Sequence, residues 1–409
     1  MSIIKNEPVY EFKDSDYTHP RHIIVSGTNE EIGHDLGNLA REEYGTKLCV
    51  YDDPVYAKAR REYLSRNWPE MLEKSKGVLK AYGLDEDDVI FDGTTLPYDF
   101  YDSTRGVSLG ANTCSAVVLP CEKTDTGATF ASRNFDLMAM VLWSELIGKT
   151  PPEGAHNCWE RGIVLETRPD QGYKTIQVGG HEVLSPWIDG INEEGLYVTA
   201  FHDPWGVGGE TSPSGGMDVS GITMIQSFGY ILSTCATVEE AKHLILRNHL
   251  TQVLINAHVL IADRQGNATA FEIDQKTQAY VFVDRKAGEP FFITNHPLHL
   301  FPTPDTFPEI NMEAEHNSFT RQVLLNDAYA RLKPPFKRED ATSLTDAIHC
   351  AFIDDEKAEA GPKERTLINV NVDLSKPEID IRWYLGDVGP VAGTNHIEDR
   401  MSNFYTFGF

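Results

Sequence analysis

The sequence predicts an α+β protein in which blocks of helices lie over antiparallel sheet, preceded by a mainly helical N-terminal segment. Three observations predict it. The first hundred residues carry apolar side chains at helical spacing among many charges, the chain from Cys114 onward breaks into short β-rich runs, and the later helical stretches come in groups instead of alternating with strands.

Residues 30–45 and 55–83 carry Leu, Ile, Ala and Tyr at helical spacing. CSAVVLPC, beginning at Cys114, then the turn TDTG and ATFASRNFDL read as a hairpin. Further strands are expected at GIVLETR, YKTIQVG, GLYVTAF, AHVLIAD, TAFEID and AYVFVD, each bounded by Gly, Asp or Asn. Between them, residues 222–232 and 238–250 are expected to be helical, the second entered by Thr237 with Glu240 three residues on as a capping box. Residues 318–332 and 343–352 predict two more helices, and TLINVNVDL with EIDIRWYLG a final strand pair. No internal repeat occurs, and the absence of GxGxxG and GxxxxGK excludes the Rossmann and P-loop readings.

With 409 residues, 41 % hydrophobic and 24 % charged, the chain can bury a sizeable core. Acidic residues outnumber basic ones 62 to 36, a formal charge of −26, so the mean field repels nucleic acid and anionic membranes. The start, MSIIKNEPVYEFKD, is not a secretory signal, and no apolar stretch of about 18 residues occurs. A cytoplasmic protein is expected, acting as a homo-oligomer. Six cysteines form no CxxC pair, and His34, His181, His202, His258 and His296 are scattered, so neither metal nor cofactor is expected.

Cys114 opens a β-run directly after the polar, turn-like SLGANT, at the point where helical sequence gives way to β-rich sequence. A lone cysteine in such a place is ordinarily a small buried hydrophobe. The return arm of the hairpin, SRNFDL, brings Arg133 and Asp136 beside it. A thiol attacks as thiolate, which a nearby cation favours, and a carboxylate can orient an amine; the two could equally form a simple ion pair.

Seven pieces of sequence, in order, carry a resemblance over nearly the whole chain. They are IIVSGTNEEIGHDLG (residues 23–37), KGVLKAYGL, CSAVVLP, GATFASRNFD (127–136), WIDGINEEGLYVTAFHD (187–203), FFITNHP (291–297) and HNSFTRQVLL (316–325). Together they resemble the penicillin acyltransferase and carcinine hydrolase group, peptidase family C45, of the N-terminal-nucleophile hydrolases. Choloylglycine hydrolases and acid ceramidase are more distant relatives of that group.

The resemblance implies an αββα sandwich, two antiparallel sheets between helical layers, with residues 1–113 a leader and 114–409 the catalytic domain. It implies self-cleavage between Thr113 and Cys114, so that Cys114 gains a free α-amine. With an ordinary pKa of about 8, that amine can serve as base for its own thiol. Cys114 would attack a small linear N-acyl amide, and water or an acceptor amine would resolve the thioester. Asp136 would orient the α-amine, Arg133 shape the electrostatics at the thiol, and Asn295 donate to the oxyanion. His202 or a backbone N–H near Asp203 would be the second oxyanion donor, and Arg321 matches the arginine of the S-x-x-R helix start.

Two departures stand out: Thr113 where the family prefers Gly, and Ser115 where Thr is commoner. An uncleaved, ligand-binding relative is therefore the alternative function. A papain-like Cys–His pair lacks its flanking signature, and a Cys114–Cys121 disulfide would join side chains on opposite strand faces. Residues 205–209 read as a substrate lid or as a plain turn.

Overall fold

The computed structural model describes residues 2–51, 53–85, 90–94, 113–139, 159–180, 183–203, 221–251, 257–310, 312, 317–352 and 364–409. Ahead of Cys114 lie β1 (Ile3–Pro8), β2 (Arg21–Gly27), α1 (Asn29–Glu43), α2 (Pro54–Asn67) and α3 (Pro69–Ala81). The hairpin β3 (Thr113–Val118) and β4 (Phe130–Met138) follows, then β5 (Ile163–Pro169), β6 (Thr175–Gly179), β7 (Asp189–Asn192) and β8 (Tyr197–His202). Helices α4 (Met224–Thr234) and α5 (Val238–Arg247) precede β9 (Ala257–Ala262), β10 (Ala268–Ile273), β11 (Tyr280–Asp284) and β12 (Phe291–Ile293). The chain closes with α6 (Ser318–Arg331), α7 (Arg338–Asp346), β13 (Glu364–Asp373), β14 (Glu378–Pro390), β15 (Ile397–Met401) and β16 (Tyr405–Gly408).

Two sheets dominate. One has nine strands in the order β1-β2-β5-β6-β7-β8-β9-β10-β11; the other runs β12-β3-β4-β13-β14-β15, with β16 also on β14. They face each other, β3 lying against β8. Between them sits an apolar layer that includes Cys114, Phe135, Val164, Ile191, Phe201, Leu260, Val370 and Trp383. On the outer side of the nine-stranded sheet, α4 and α5 cover β7 to β10 and α1 with α3 cover β2 and β5. On the outer side of the other sheet, α6 and α7 cover β12, β3, β4 and β13. The layering is helix, sheet, sheet, helix, the αββα sandwich.

The N-terminal segment differs from the expectation of a mainly helical piece. Its helices form where periodicity and caps predict them. Thr28 and Glu31 make a reciprocal capping box on α1, and Asp53 with Pro54 starts α2. Pro69 divides the predicted 55–83 helix, because a proline ring inside a helix removes a donor and clashes with the preceding turn. The same segment also supplies β1 and β2, and β2 pairs parallel with β5 along its length, from Arg21 opposite Ile163 to Gly27 opposite Pro169. The segments before and after Cys114 therefore share one sheet. The α1–α3 crossing is close enough that a Cβ on Gly33 would stand 2.0 Å from the Lys74 carbonyl oxygen, and one on Gly77 2.0 Å from that of Glu30.

The other differences are local. The helix expected at residues 343–352 forms earlier, as α7, where Asp340 caps the backbone N–H of Lys337. Residues 222–223 form a short parallel ribbon with 250–251 before α4 begins. Thr237 caps α5, accepting from the Glu240 N–H, but the expected box is only half formed, since the Glu240 carboxylate accepts from the Ala236 N–H instead of that of Thr237. Among the described residues no helix is long and apolar enough to cross a membrane.

Candidate active site

The site is built on the β3–β4 hairpin. Its register sets Thr113 opposite Asp136, Cys114 opposite Phe135 and Ala116 opposite Arg133. Because side chains alternate along a strand, Cys114, Arg133 and Phe135 point between the sheets, while Thr113, Ser115, Asn134 and Asp136 point toward α6 and α7. The hairpin thus presents one catalytic-type group per face, with the Cys114 backbone between them.

On the inner face the Cys114 thiol, 2 % exposed, receives Arg133 Nη2 at 3.3 Å. The same guanidinium donates through Nη1 to Asp189 Oδ2 at 3.1 Å and through Nη2 to the Ala200 carbonyl at 3.1 Å, and it lies over the Phe135 ring at 4.7 Å. Tyr197 donates to the other Asp189 oxygen at 2.5 Å. Burial raises the Cys114 thiol pKa, and Arg133 partly offsets that by favouring the thiolate. Burial likewise works against the Arg133 charge, but Asp189 and the thiol outweigh it and raise the arginine's pKa.

On the outer face Asn295, just beyond β12, engages the Cys114 backbone. Its Oδ1 accepts the Cys114 N–H at 2.8 Å and Arg321 Nη2 at 2.8 Å, and its Nδ2 donates to the His202 carbonyl at 2.7 Å. Arg321, from the first turn of α6, donates through Nη1 to the Cys114 carbonyl at 2.6 Å and to Ser115 Oγ at 2.5 Å. Asp136 is fully buried. Thr366 Oγ1 donates to its Oδ1 at 2.6 Å, while its Oδ2 has no hydrogen-bond partner. Burial raises the Asp136 pKa, with Arg321 opposing.

Five of the residues singled out from sequence therefore converge: Cys114, Arg133, Asp136, Asn295 and Arg321. His202 contributes its carbonyl rather than its ring, whose Nδ1 is buried without a partner; burial, then His258, lowers the ring's pKa to about 4. Asp203 is buried directly after β8. Cys114 and Cys121 are both free thiols, and among the described residues no cluster of three or more His, Cys, Asp or Glu side chains is arranged to hold a metal. The expected lid at 205–209 lies outside the described residues.

Sequence reasoning passed over Asp189, Tyr197 and Thr366, and gave Ser318, the serine of the S-x-x-R match, no role of its own. A signal existed for Asp189, a carboxylate inside the otherwise apolar run PWIDGI, where a buried charge requires a partner. Arg133 is that partner.

An αββα sandwich with a thiol at the head of the inner hairpin defines the N-terminal-nucleophile hydrolase class. A family model described as Acyl-coenzyme A:6-aminopenicillanic acid acyl-transferase matches residues 124–361, more than half the chain, and the protein belongs to this acyl-transferase family. The matched stretch holds Arg133, Asp136, Asn295 and Arg321 and begins ten residues after Cys114. Among solved structures, a mutant of conjugated bile acid hydrolase from Clostridium perfringens aligns with a TM-score of 0.47 and 12 % identity, covering 72 % of this chain and 97 % of that one. Penicillin V acylase from Agrobacterium tumefaciens gives 0.43 and 14 %, covering 69 % and 84 %. The Caenorhabditis elegans ortholog of N-acylethanolamine-hydrolyzing acid amidase gives 0.41 and 12 %, covering 64 % and 94 %. No curated protein matches the chain in sequence.

Proposed function

We propose that the protein is a self-processing cysteine hydrolase that cleaves, or transfers the acyl group of, a small linear N-acyl amide through a thioester on Cys114. The observation that carries this reading is the double grip on Cys114: a guanidinium 3.3 Å from its sulfur, and an asparagine oxygen 2.8 Å from the nitrogen that would become the α-amine.

In the self-cleavage step Cys114 Sγ attacks the Thr113 carbonyl carbon, the C–N bond breaks, and the nitrogen leaves as the Cys114 amine. Water then hydrolyses the Thr113 thioester, releasing the leader's carboxylate and restoring the thiol. Burial raises the thiol pKa, so the attack on substrate needs a base. Among the described residues no histidine ring hydrogen-bonds to Cys114 Sγ, and the new α-amine is the adjacent group suited to take its proton. Asn295 Oδ1 would then hold that amine in common with Asp136. The Asn295 amide would turn from the His202 carbonyl to a developing oxyanion, an interaction of the kind worth about 3 kcal/mol. Arg321 fixes the Cys114 carbonyl and the asparagine at once.

The alternative, an uncleaved ligand-binding relative, is favoured by one observation. Thr113 sits in regular strand register opposite Asp136, and neither Thr113 nor Cys114 has a left-handed backbone. A panel of N-acyl amino acids, β-alanyl amines, penicillins and bile-salt amides, with hydroxylamine to trap a thioester, separates the two. Hydroxamate formation that disappears in Cys114→Ala supports the enzyme; binding of a panel member without any acyl adduct supports the alternative.

A further inference from the structure

Asn295 stands in a turn, residues 294–299, that lies outside helix and strand, so regular structure cannot fix its backbone. Side chains do. Ser318 Oγ accepts the N–H groups of Asn295 at 2.8 Å and His296 at 2.7 Å. Pro297 has no N–H. Glu272 then accepts the next two, Leu298 N at 2.6 Å on Oε1 and His299 N at 3.0 Å on Oε2.

Both anchors are deeply buried, Ser318 5 % and Glu272 1 % exposed. A carboxylate in β10 facing the interior costs several kcal/mol unless donors compensate it. Glu272 finds them in this turn: two backbone N–H groups, and His299 Nδ1 at 2.6 Å. The Thr294 carbonyl accepts from His258 at 2.7 Å; since a carbonyl only accepts, His258 Nε2 carries the proton. The Thr294 hydroxyl donates to the Ser318 carbonyl at 3.0 Å. Ser318 opens α6, three residues before Arg321, so one helix start sets both the asparagine and the arginine that grips it.

We propose that Ser318 and Glu272 are positioning residues, which touch no reacting atom but lock the 294–299 turn so that the Asn295 carboxamide faces the Cys114 nitrogen. This rests on the function proposed above only for what Asn295 does once positioned.

The test uses the full chain with Ser318→Ala, Ser318→Thr and Glu272→Gln. Amide hydrogen exchange at residues 295–296 should quicken at least tenfold in Ser318→Ala, with exchange in β9 unchanged, and return toward wild type in Ser318→Thr. Exchange at 298–299 should quicken similarly in Glu272→Gln. For acyl-amide turnover, Ser318→Ala should lower kcat about tenfold with KM within twofold, and should add no loss in an Asn295→Ala background. Unchanged exchange at 295–296, or a kcat loss that multiplies with that of Asn295→Ala, overturns the inference. Faster exchange in a wild-type background that forms no thioester leaves the clamp standing and sinks the proposed function instead.

Discussion

Arg133 Nη2 lies 3.3 Å from Cys114 Sγ, and its other terminal nitrogen is spent on Asp189 at 3.1 Å. One guanidinium bridges the two sheets, thiol on one side and carboxylate on the other. The charge beside the Cys114 thiol is set by a pair of residues 56 positions apart in sequence.

The Arg133 charge favours the thiolate. In Arg133→Gln the thiol pKa, already raised by burial, should rise further and move the pH profile of iodoacetamide reaction at Cys114 to higher pH. Below both midpoints the alkylation rate should fall about tenfold for each unit of that shift. Stopped alkylation followed by peptide mass mapping reads it; an unshifted profile would remove Arg133 from the electrostatics of the thiol.

Removing the counter-charge should do the reverse. Asp189→Asn leaves Arg133 with less compensation, so the Cys114 thiol pKa should fall and alkylation at a fixed pH speed up. The same change strands a buried cation, at a cost of about 3–5 kcal/mol. Urea denaturation should show that loss, and Arg133→Gln combined with Asp189→Asn should recover part of it. Slower alkylation in Asp189→Asn contradicts the assignment.

Acid should destabilise the fold through two histidines, His296 buried and His202 half-buried. Burial lowers His202 to about 4 and His296 to about 3. The unfolded chain therefore binds protons that the folded chain refuses, so stability falls as pH drops below the ordinary histidine range near 6.5 and stops falling below the folded values. Each histidine contributes a slope of about 1.4 kcal/mol per pH unit at most. Urea midpoints measured from pH 7 to 4.5 should show the decline, and His202→Phe should flatten it.

After cleavage the leader should stay. β2 keeps its parallel pairing with β5, Gly33 and Gly77 hold α1 against α3, and the buried Arg60 of α2 donates to the Gly221 carbonyl at 2.9 Å, across the cut. Fragments 1–113 and 114–409 should co-elute on native size-exclusion chromatography and separate only in denaturant. A leader that elutes alone contradicts the shared sheet.

Much of this was legible in the chain. The β3–β4 hairpin announced itself because a strand, a TDTG turn and a returning strand are local, and period-two alternation then places Cys114 and Arg133 on one face. Asn295 and Arg321 were visible only through the ordered resemblance, since nothing local in TNHP or SFTR says what they face. The β2–β5 pairing was not readable, because its partners are some 140 residues apart with no turn between them, and RHIIVSG alternates too weakly to declare a strand. The roles of Asp189 and Ser318 were hidden for a related reason: each looks like a turn or cap residue until sheet packing supplies Arg133 to one and the N–H groups of Asn295 and His296 to the other.

The central claim, that Cys114 is a nucleophile freed by a cut before it, is tested most directly by intact-mass measurement under denaturing conditions after incubation with an N-acyl amide. The proposed function predicts fragments of residues 1–113 and 114–409, with an acyl mass added only to the second and neither event in Cys114→Ala. A chain that remains whole at 409 residues without an adduct, or a Cys114→Ala variant that still cuts at the same bond, would contradict it.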